Sequence, residues 1–448
     1  MALCRGSQFN VPYSVEEVLG CYCPRVSPRV SVVIFAQNYA PEPSGNAPYV
    51  TSLAEGLQAS GEFEVTVVTA HPYYPDWQIR AGYGQWKRDE TLRGVHLRRK
   101  LHYVPSRPTA LRRLVSELSF GARSALSSCA RADVIVLVSP SMFASAVTML
   151  RLKLLNPRIP VLTWVQDLYS LGVRETGGGA GIAKVVTAFE SWLFRRSSTV
   201  TVIHERFRDT VTSLLGVDAE RVNVIRNWTH ISPVHGSHRT AARSKLGWGP
   251  DETIALHTGN MGVKQGLENV VRAAALAEQR GDRVRFVFIG GGNQQDRLVA
   301  MAEHLTQIDF IGSLPDDEYA LALVAADVLL VNELPGVSGM AVPSKLTSYF
   351  AAGRPVVAAT DAGGVTEEEV EASGAGVCVP AGDEEALLDA VVDVGADAER
   401  SAQMGSAGVR YYERLLSPDS AIDAFKQALH GARRSGTSTR RRRALRRS

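Results

Sequence analysis

The residues able to do chemistry fall in four short stretches. In Pro343-Ser344-Lys345 a proline, a hydroxyl and an ammonium stand at the start of the helix-forming run KLTSYFAA. A first-turn proline has its φ already helical and lacks an N–H that the helix would leave unbonded. The other free N–H groups and the positive end of the helix dipole suit an anion, phosphate above all. Lys264 and Gln265 lie in a glycine-rich run, GNMGVKQGLE, between Asn260 and Gly266. Two such loops in one α/β domain are suited to holding a diphosphate from both sides. Gly45 and Asn46 close a loop just before a helix, where backbone can approach a ligand. Asp167 follows the apolar run VLTWVQ, a carboxylate at a strand end that suits a base or a hydroxyl acceptor. Each has an ordinary alternative: a crossover helix with a solvated lysine, a glycine turn, or an N-capping aspartate.

The elements that must position these residues follow a β–loop–α–β rhythm. Residues 30–36 (VSVVIFA) read as a strand, 47–60 as a helix and 65–70 as the next strand. Strands follow at 134–139, 161–165, 199–203 and 222–225. Residues 229–244 break the periodicity with Pro, Gly, Ser and His and read as a hinge between domains. The rhythm restarts with strands at 253–257, 284–289, 309–311, 327–331, 356–359 and 376–379. Short β-branched runs of this kind belong to parallel sheets covered on both faces. Ligands of such sheets bind at the carboxyl ends of the strands. No G-x-G-x-x-G follows a strand, so a nicotinamide or flavin site has no support. A long aromatic loop, HPYYPDWQIRAGYGQW, follows the second strand. Its His71, Tyr73, Tyr74 and Trp77 either line a sugar or lipid-linked acceptor site or staple the loop to the core.

Composition sets outer bounds. The chain has 448 residues, 45% hydrophobic and 21% charged, so it is globular with two or three domains. No apolar run approaches a membrane span. The first 26 residues lack a continuous apolar stretch and are not expected to act as a secretion signal. Five scattered cysteines point to reduced thiols in the cytoplasm; Cys21 and Cys23 have no second pair at zinc-site spacing, so no metal is expected. Residues 433–448 carry eight arginines and no acid; without them 41 basic side chains face 46 acidic ones. This tail is expected to be disordered, either with no dedicated partner or as a site for anionic lipid or nucleic acid. Residues 107–123 pair Leu111, Leu114, Val115 and Leu118 at helical spacing with Arg107, Arg112, Arg113 and Arg123. That pattern suits either a helix packed on its own domain or one lying on a membrane surface.

The segments GNMGVKQGLE, PSKL…AAGRPVVA and APEPSGNAPYVTSLAEGL…HPYYP, taken in their order along the chain, resemble the family-4 glycosyltransferases. The branch most resembled builds exopolysaccharide or O-antigen units, including the colanic-acid type. The resemblance implies the GT-B fold: α/β, with two Rossmann-like doubly wound domains facing across a cleft. It divides the chain into an extension at 1–28, an acceptor-side domain at 29–232, a nucleotide-sugar domain at 245–417 and a tail at 431–448. Residues 418–430 resemble the family's helix that returns to the first domain.

The implied activity is transfer of a hexose with retention, from a UDP-sugar in preference to a GDP-sugar, to a saccharide or lipid-linked acceptor. No metal or other cofactor is implied, and no nucleic acid. The implied location is cytoplasmic, peripheral on the inner face of the plasma membrane. The resemblance matches Gly45, Asn260, Lys264 or Gln265 and Asp167 to family positions. With the residues singled out above, donor binding is expected of Gly45, Asn46, Asn260, Lys264, Gln265, Gly266, Pro343, Ser344 and Lys345, acceptor binding of His71, Tyr73, Tyr74 and Asp167, and catalysis of Asp167 and Lys345. The family's Lys-Gly pair appears here as Lys264-Gln265-Gly266, and Asn260 stands where many members have arginine. Two glutamates eight apart that many members carry are Met340 and Ser348 here. Their absence keeps two rivals open: a nucleotide-sugar epimerase on the same fold, and a catalytically silent nucleotide-sugar-binding subunit.

Overall fold

The computed structural model describes residues 29–43, 45–175, 180–229, 239–337 and 344–445. The first domain is built on strands β1 (Val30–Phe35), β2 (Phe63–Ala70), β3 (Lys87–Leu92), β4 (Val95–Lys100), β5 (Val134–Val138), β6 (Val161–Val165), β7 (Thr199–Val202) and β8 (Val222–Val224). They pair in the order β3-β4-β2-β1-β5-β6-β7-β8, all parallel except β3 against β4. The helices between them are α1 (Ala47–Ala59), α2 (Ala110–Ala125), α3 (Met142–Leu155), α4 (Tyr169–Glu175), α5 (Ala180–Arg196) and α6 (Glu205–Asp209). The central strands are buried end to end because helices cover both faces, hence their unbroken Val, Ile and Leu runs.

The second domain opens with α7 (Arg239–Leu246) and has strands β9 (Thr253–Asn260), β10 (Val284–Gly291), β11 (Ile308–Ile311), β12 (Val328–Asn332), β13 (Val356–Thr360) and β14 (Gly376–Pro380). Their order is β11-β10-β9-β12-β13-β14, parallel throughout. Its other helices are α8 (Glu268–Arg280), α9 (Gln295–Met301), α10 (Asp316–Ala325), α11 (Lys345–Ala351), α12 (Val365–Ser373), α13 (Glu384–Ala396) and α14 (Ala398–Tyr411). The strand order reverses between β9 and β12. That reversal opens a crevice at their carboxyl ends, where both loops of the predicted donor set emerge. In the first domain the same reversal lies between β1 and β5, beside Gly45 and Asn46.

Three differences from the sequence reading have clear causes. The β3–β4 hairpin carries KRDETL and VHLRRK, and a charged edge pair gives no apolar run to read. The second domain starts at α7, not at 245. Arg239 and Arg243 both reach Asp327 at the foot of β12, and Arg243 also donates to the carbonyls of Gly249 and Glu252. Arginines that read as hinge polarity are therefore structural. Lastly, α15 (Pro418–Leu445) continues through most of the segment expected to be disordered. Arginine, alanine and leucine favour helix, and they prolong a helix already seeded by packing.

That packing lies against the first domain, as the return helix requires. Phe425 is fully buried at 4.8 Å (ring centroids) from Trp164, with Trp228 stacked beyond. Gly56 of α1 faces Ile422, and a Cβ there would come within 2.2 Å of the isoleucine side chain. Lys426 and His430 both reach Glu62. Phe425→Ala should destabilise the first domain by about 3–5 kcal/mol. The measurement is the denaturant midpoint by tryptophan fluorescence, which Trp164 and Trp228 report directly; an unchanged midpoint would show the helix contributes nothing there.

Candidate active site

The site is assembled from the ends of β9, β12 and β6. β9 ends in Gly259 and Asn260, and the chain passes from them into a short bracket. Gln265 Oε1 accepts from the Gly262 N–H at 3.1 Å and from Asn260 Nδ2 at 3.4 Å. Gln265 therefore shapes the loop with its side chain, leaving Lys264 exposed at the apex. Gly266 sits in the left-handed region at φ +54°, and a Cβ there would lie 3.0 Å from Leu334 Cα. Only glycine lets the β9 loop lie this close to the segment after β12. Asn332 at the end of β12 secures the contact, donating from Nδ2 to the carbonyls of Gln265 (2.8 Å) and Gly266 (2.9 Å).

Beyond β12, Ser344 begins α11 without capping it through its hydroxyl. Lys345 is largely buried, its Nζ 3.3 Å from His257 Nε2. Burial pushes the Lys345 amine down to about 7, with Glu333 pulling weakly the other way. His257 is fully buried in β9 and is driven well below the ordinary histidine value by burial and by Lys345. Beneath α11, Tyr349 Oη accepts from the Thr258 N–H at 2.9 Å, and Tyr319 Oη lies 3.0 Å from Thr258 Oγ1 and 3.2 Å from Ser348 Oγ.

On the first domain, Asp167 sits at the end of β6 and faces this assembly. Its Oδ1 accepts from the Leu168 N–H at 2.8 Å. The side chain is open to solvent, yet the surrounding protein raises its pKa, an effect opposed by that N–H and by the charge of Lys264. Asp167 and Lys264 are thus within electrostatic reach although they come from different sheets. The loop behind Asp167 is fixed by buried Glu190, which accepts from the N–H groups of Tyr169 (2.7 Å) and Ser170 (3.2 Å).

The comparisons agree with this geometry. Residues 44–228 match the model of the glycosyl transferase 4-like domain, and residues 238–410 that of glycosyl transferases group 1. Over 418 residues the chain is 30% identical to the putative colanic acid biosynthesis glycosyl transferase WcaI of Escherichia coli K12, spanning 90% of this chain and all of the relative. The chain belongs to the family-4 glycosyltransferases. The fold matches sucrose-phosphate synthase from Thermosynechococcus elongatus, with TM-score 0.69 and 17% identity over 90% of this chain and 99% of the other. It also matches Anabaena HepE in complex with UDP, with TM-score 0.67 and 16% identity over 90% of this chain and all of the other. The architecture is GT-B, two Rossmann-like domains, as the sequence resemblance implied.

Not every site residue expected from the sequence lies open to a ligand in this glycosyltransferase. His71 and Tyr73 are buried: His71 Nε2 is paired with the Gln85 carbonyl at 2.8 Å, and Tyr73 Oη accepts from Gln37 Nε2 at 2.9 Å. Glu42 Oε1 holds the Tyr73 and Tyr74 N–H groups, both at 2.9 Å. The aromatic loop is stapled through these two residues, and only half-buried Tyr74 lies beside Gly45. Asn46 reaches the Ser139 carbonyl at 3.4 Å, spanning the reversal between β1 and β5. Pro343 and Met340 lie outside the described residues. The sequence reading missed His257, a lone polar residue inside IALHTG, and gave no role to Glu333, which directly follows VLLVN.

Gly266→Val would force the β9 loop away from Leu334 by strain and by contact. The expected outcome is a loss of nucleotide-sugar affinity of about tenfold, or roughly 1.4 kcal/mol. Calorimetric titration would read it, and wild-type affinity would show that the bracket is dispensable.

Proposed function

We propose that this glycosyltransferase moves a hexose, with retention, from a UDP-sugar to a hydroxyl of a lipid-linked saccharide in surface-polysaccharide synthesis. What supports the reading is the Asn332 clamp, which holds the Lys264 loop at the β9–β12 reversal, together with the charge of Lys264 acting on Asp167 from the other domain. A diphosphate in that crevice would meet Lys264, Lys345 and the Ser344 hydroxyl, and an acceptor would meet Asp167. The acceptor oxygen attacks the anomeric carbon on the leaving group's face. The bond from that carbon to the phosphate oxygen breaks, and the acceptor proton passes to a phosphate oxygen of the departing diphosphate. The chain's own residues orient the hydroxyl and stabilise the growing negative charge. The surface-polysaccharide role rests on likeness to WcaI, and the choice of UDP on likeness to HepE. Among the described residues there is no cluster of three His, Cys, Asp or Glu side chains that could hold a metal ion.

A membrane-bound acceptor suits the surface of α2. Leu111, Val115 and Leu118 are exposed on it, while Ser116 and Phe120 face inward. Arg107 and Arg112 are exposed beside them. An apolar stripe edged by arginines fits an anionic monolayer, with the enzyme lying on the surface. Among the described residues no helix is long and apolar enough to cross a membrane.

Four outcomes test this reading. Lys264→Ala should lower kcat/KM about a hundredfold or more with the fold intact, the loss typical of one anion-stabilising contact. Asp167→Asn should raise the acceptor KM and lower kcat, and product analysis with donor alone should show neither epimer nor transfer. Turnover should survive EDTA; strict dependence on an added divalent ion would overturn the metal-free arrangement. Leu111→Glu with Leu118→Glu should abolish flotation with phosphatidylglycerol vesicles while leaving transfer to a soluble acceptor unchanged.

A further inference from the structure

His257 is an unexpected residue for the middle of a covered strand. Its register partners are Phe288 in β10 and Leu330 in β12, and it has no exposed surface. Lys345 Nζ lies 3.3 Å from one ring nitrogen and 3.5 Å from the other. Nearly equal distances to both nitrogens exclude a position in the ring plane, where the amine would overlap a ring carbon. The amine therefore rests over the imidazole face. The backbone of Asn260 and Leu330 is in hydrogen-bonding contact at the ring's edge.

The second half of the observation is what Lys345 lacks. Among the described residues no carboxylate forms an ion pair with it. The charged group facing it from the end of β12 is Glu333, and both its oxygens are engaged, with Thr360 Oγ1 and with Thr366 Oγ1 at 2.6 Å. The hydroxyls of Tyr319 and Tyr349 serve Thr258 and Ser348 instead. The neighbouring β9 loop presents Lys264, a like charge. A buried ammonium with no counter-ion is costly, whereas a neutral amine on a neutral ring is tolerated.

We infer that His257 is a positioning residue for Lys345, and that the donor's diphosphate binds with uptake of a proton from solvent by that lysine. The inference rests on the reading of Lys345 as a donor-phosphate contact. In the empty site the ring face holds the amine at the crevice without requiring a charge. The arriving diphosphate supplies the counter-charge, the amine becomes ammonium, and the ion pair forms where the leaving group will depart. The depressed pKa of the lysine agrees with this order. Protonation of His257 itself would place two cations face to face, so the ring stays neutral in both states.

The sign of the effect is fixed. A lysine titrating near 7 when empty and far higher when paired takes up a proton only where the empty form is neutral, above about pH 7. The test is calorimetric titration of the wild-type enzyme with UDP-glucose, whose diphosphate does not titrate near neutrality. Buffers of different ionisation enthalpy give the proton count. The expected count is about one at pH 8, falling to about a tenth at pH 6. Binding with no proton uptake at pH 8 overturns the inference while leaving the donor reading intact. Absence of binding by UDP-, GDP- and ADP-glucose alike overturns the donor reading and this inference with it.

Variants locate the proton and the ring. Lys345→Met should bind with no uptake; persistent uptake would assign the proton elsewhere and overturn the inference. His257→Ala should lower kcat/KM about tenfold, and His257→Phe, which keeps a ring face, should recover most of the loss. A phenylalanine variant as poor as the alanine variant, or an alanine variant like wild type, overturns the role given to the ring.

Discussion

Two hydrogen bonds from the Asn332 amide to the carbonyls of Gln265 and Gly266 fix the geometry on which this site depends. Asn332 is nearly fully buried, and its Oδ1 accepts from Asn269 Nδ2 at 3.0 Å, so the whole amide is engaged. The Leu334 N–H adds a third tie, to the Lys264 carbonyl at 2.9 Å. These bonds clamp the loop after β9 onto the chain leaving β12, across the place where the strand order of the second sheet reverses. The clamp sets where Lys264 can stand, and with it the distance to Asp167 on the other domain. A buried amide in this role is costly to replace, because two carbonyls would be left unsatisfied.

Much of this was legible in the sequence for a physical reason. A strand buried on both faces must be an unbroken apolar run, so the central strands announced themselves to within three residues. Glycines needed at positive φ marked the loops, Gly45 and Gly266 among them. What the sequence could not carry was direction. His71 and Tyr73 have the chemistry of a sugar site, but they point inward because Glu42 and Gln37 hold the loop from below. Gln265 lies in a phosphate-type loop and turns its amide back onto it. The arginines of α7 look like surface polarity and are the fasteners of the second domain. The partner that decides each case is distant in sequence: Gln37 for Tyr73, Asp327 for Arg243, His257 for Lys345.

The two domains are also joined away from the crevice, by arginines of the first reaching glutamates on α12. Arg206 donates to both oxygens of Glu368, at 2.8 and 3.3 Å, and to the Gly363 carbonyl at 2.5 Å. Arg226 reaches Glu369 at 2.5 Å, and Tyr411 donates to the other oxygen of that carboxylate at 3.2 Å. The two pairs differ in kind. Arg206–Glu368 is open to water, so it is weak, screened by salt and readily broken. Glu369 is almost fully buried, and separating it from Arg226 would leave a charge uncompensated in protein. The buried pair is therefore the costlier of the two to separate.

Asp167 and Lys264 stand on loops that no described interdomain hydrogen bond ties together, although the charge of Lys264 is felt at Asp167. The supports on each side are rigid by contrast. On one, buried Glu190 caps the turn behind Asp167, and Tyr169 Oη donates to Glu117 of α2 at 2.9 Å. Glu117 also accepts from the Phe143 N–H at 3.0 Å, tying α2, α3 and the Asp167 loop into one block. On the other, the Asn332 clamp fixes Lys264. Two firmly held supports suit a reaction whose main demand is that two bound groups be brought together in one orientation. Through Glu117 the helix with exposed leucines belongs to the same hydrogen-bonded block as Asp167.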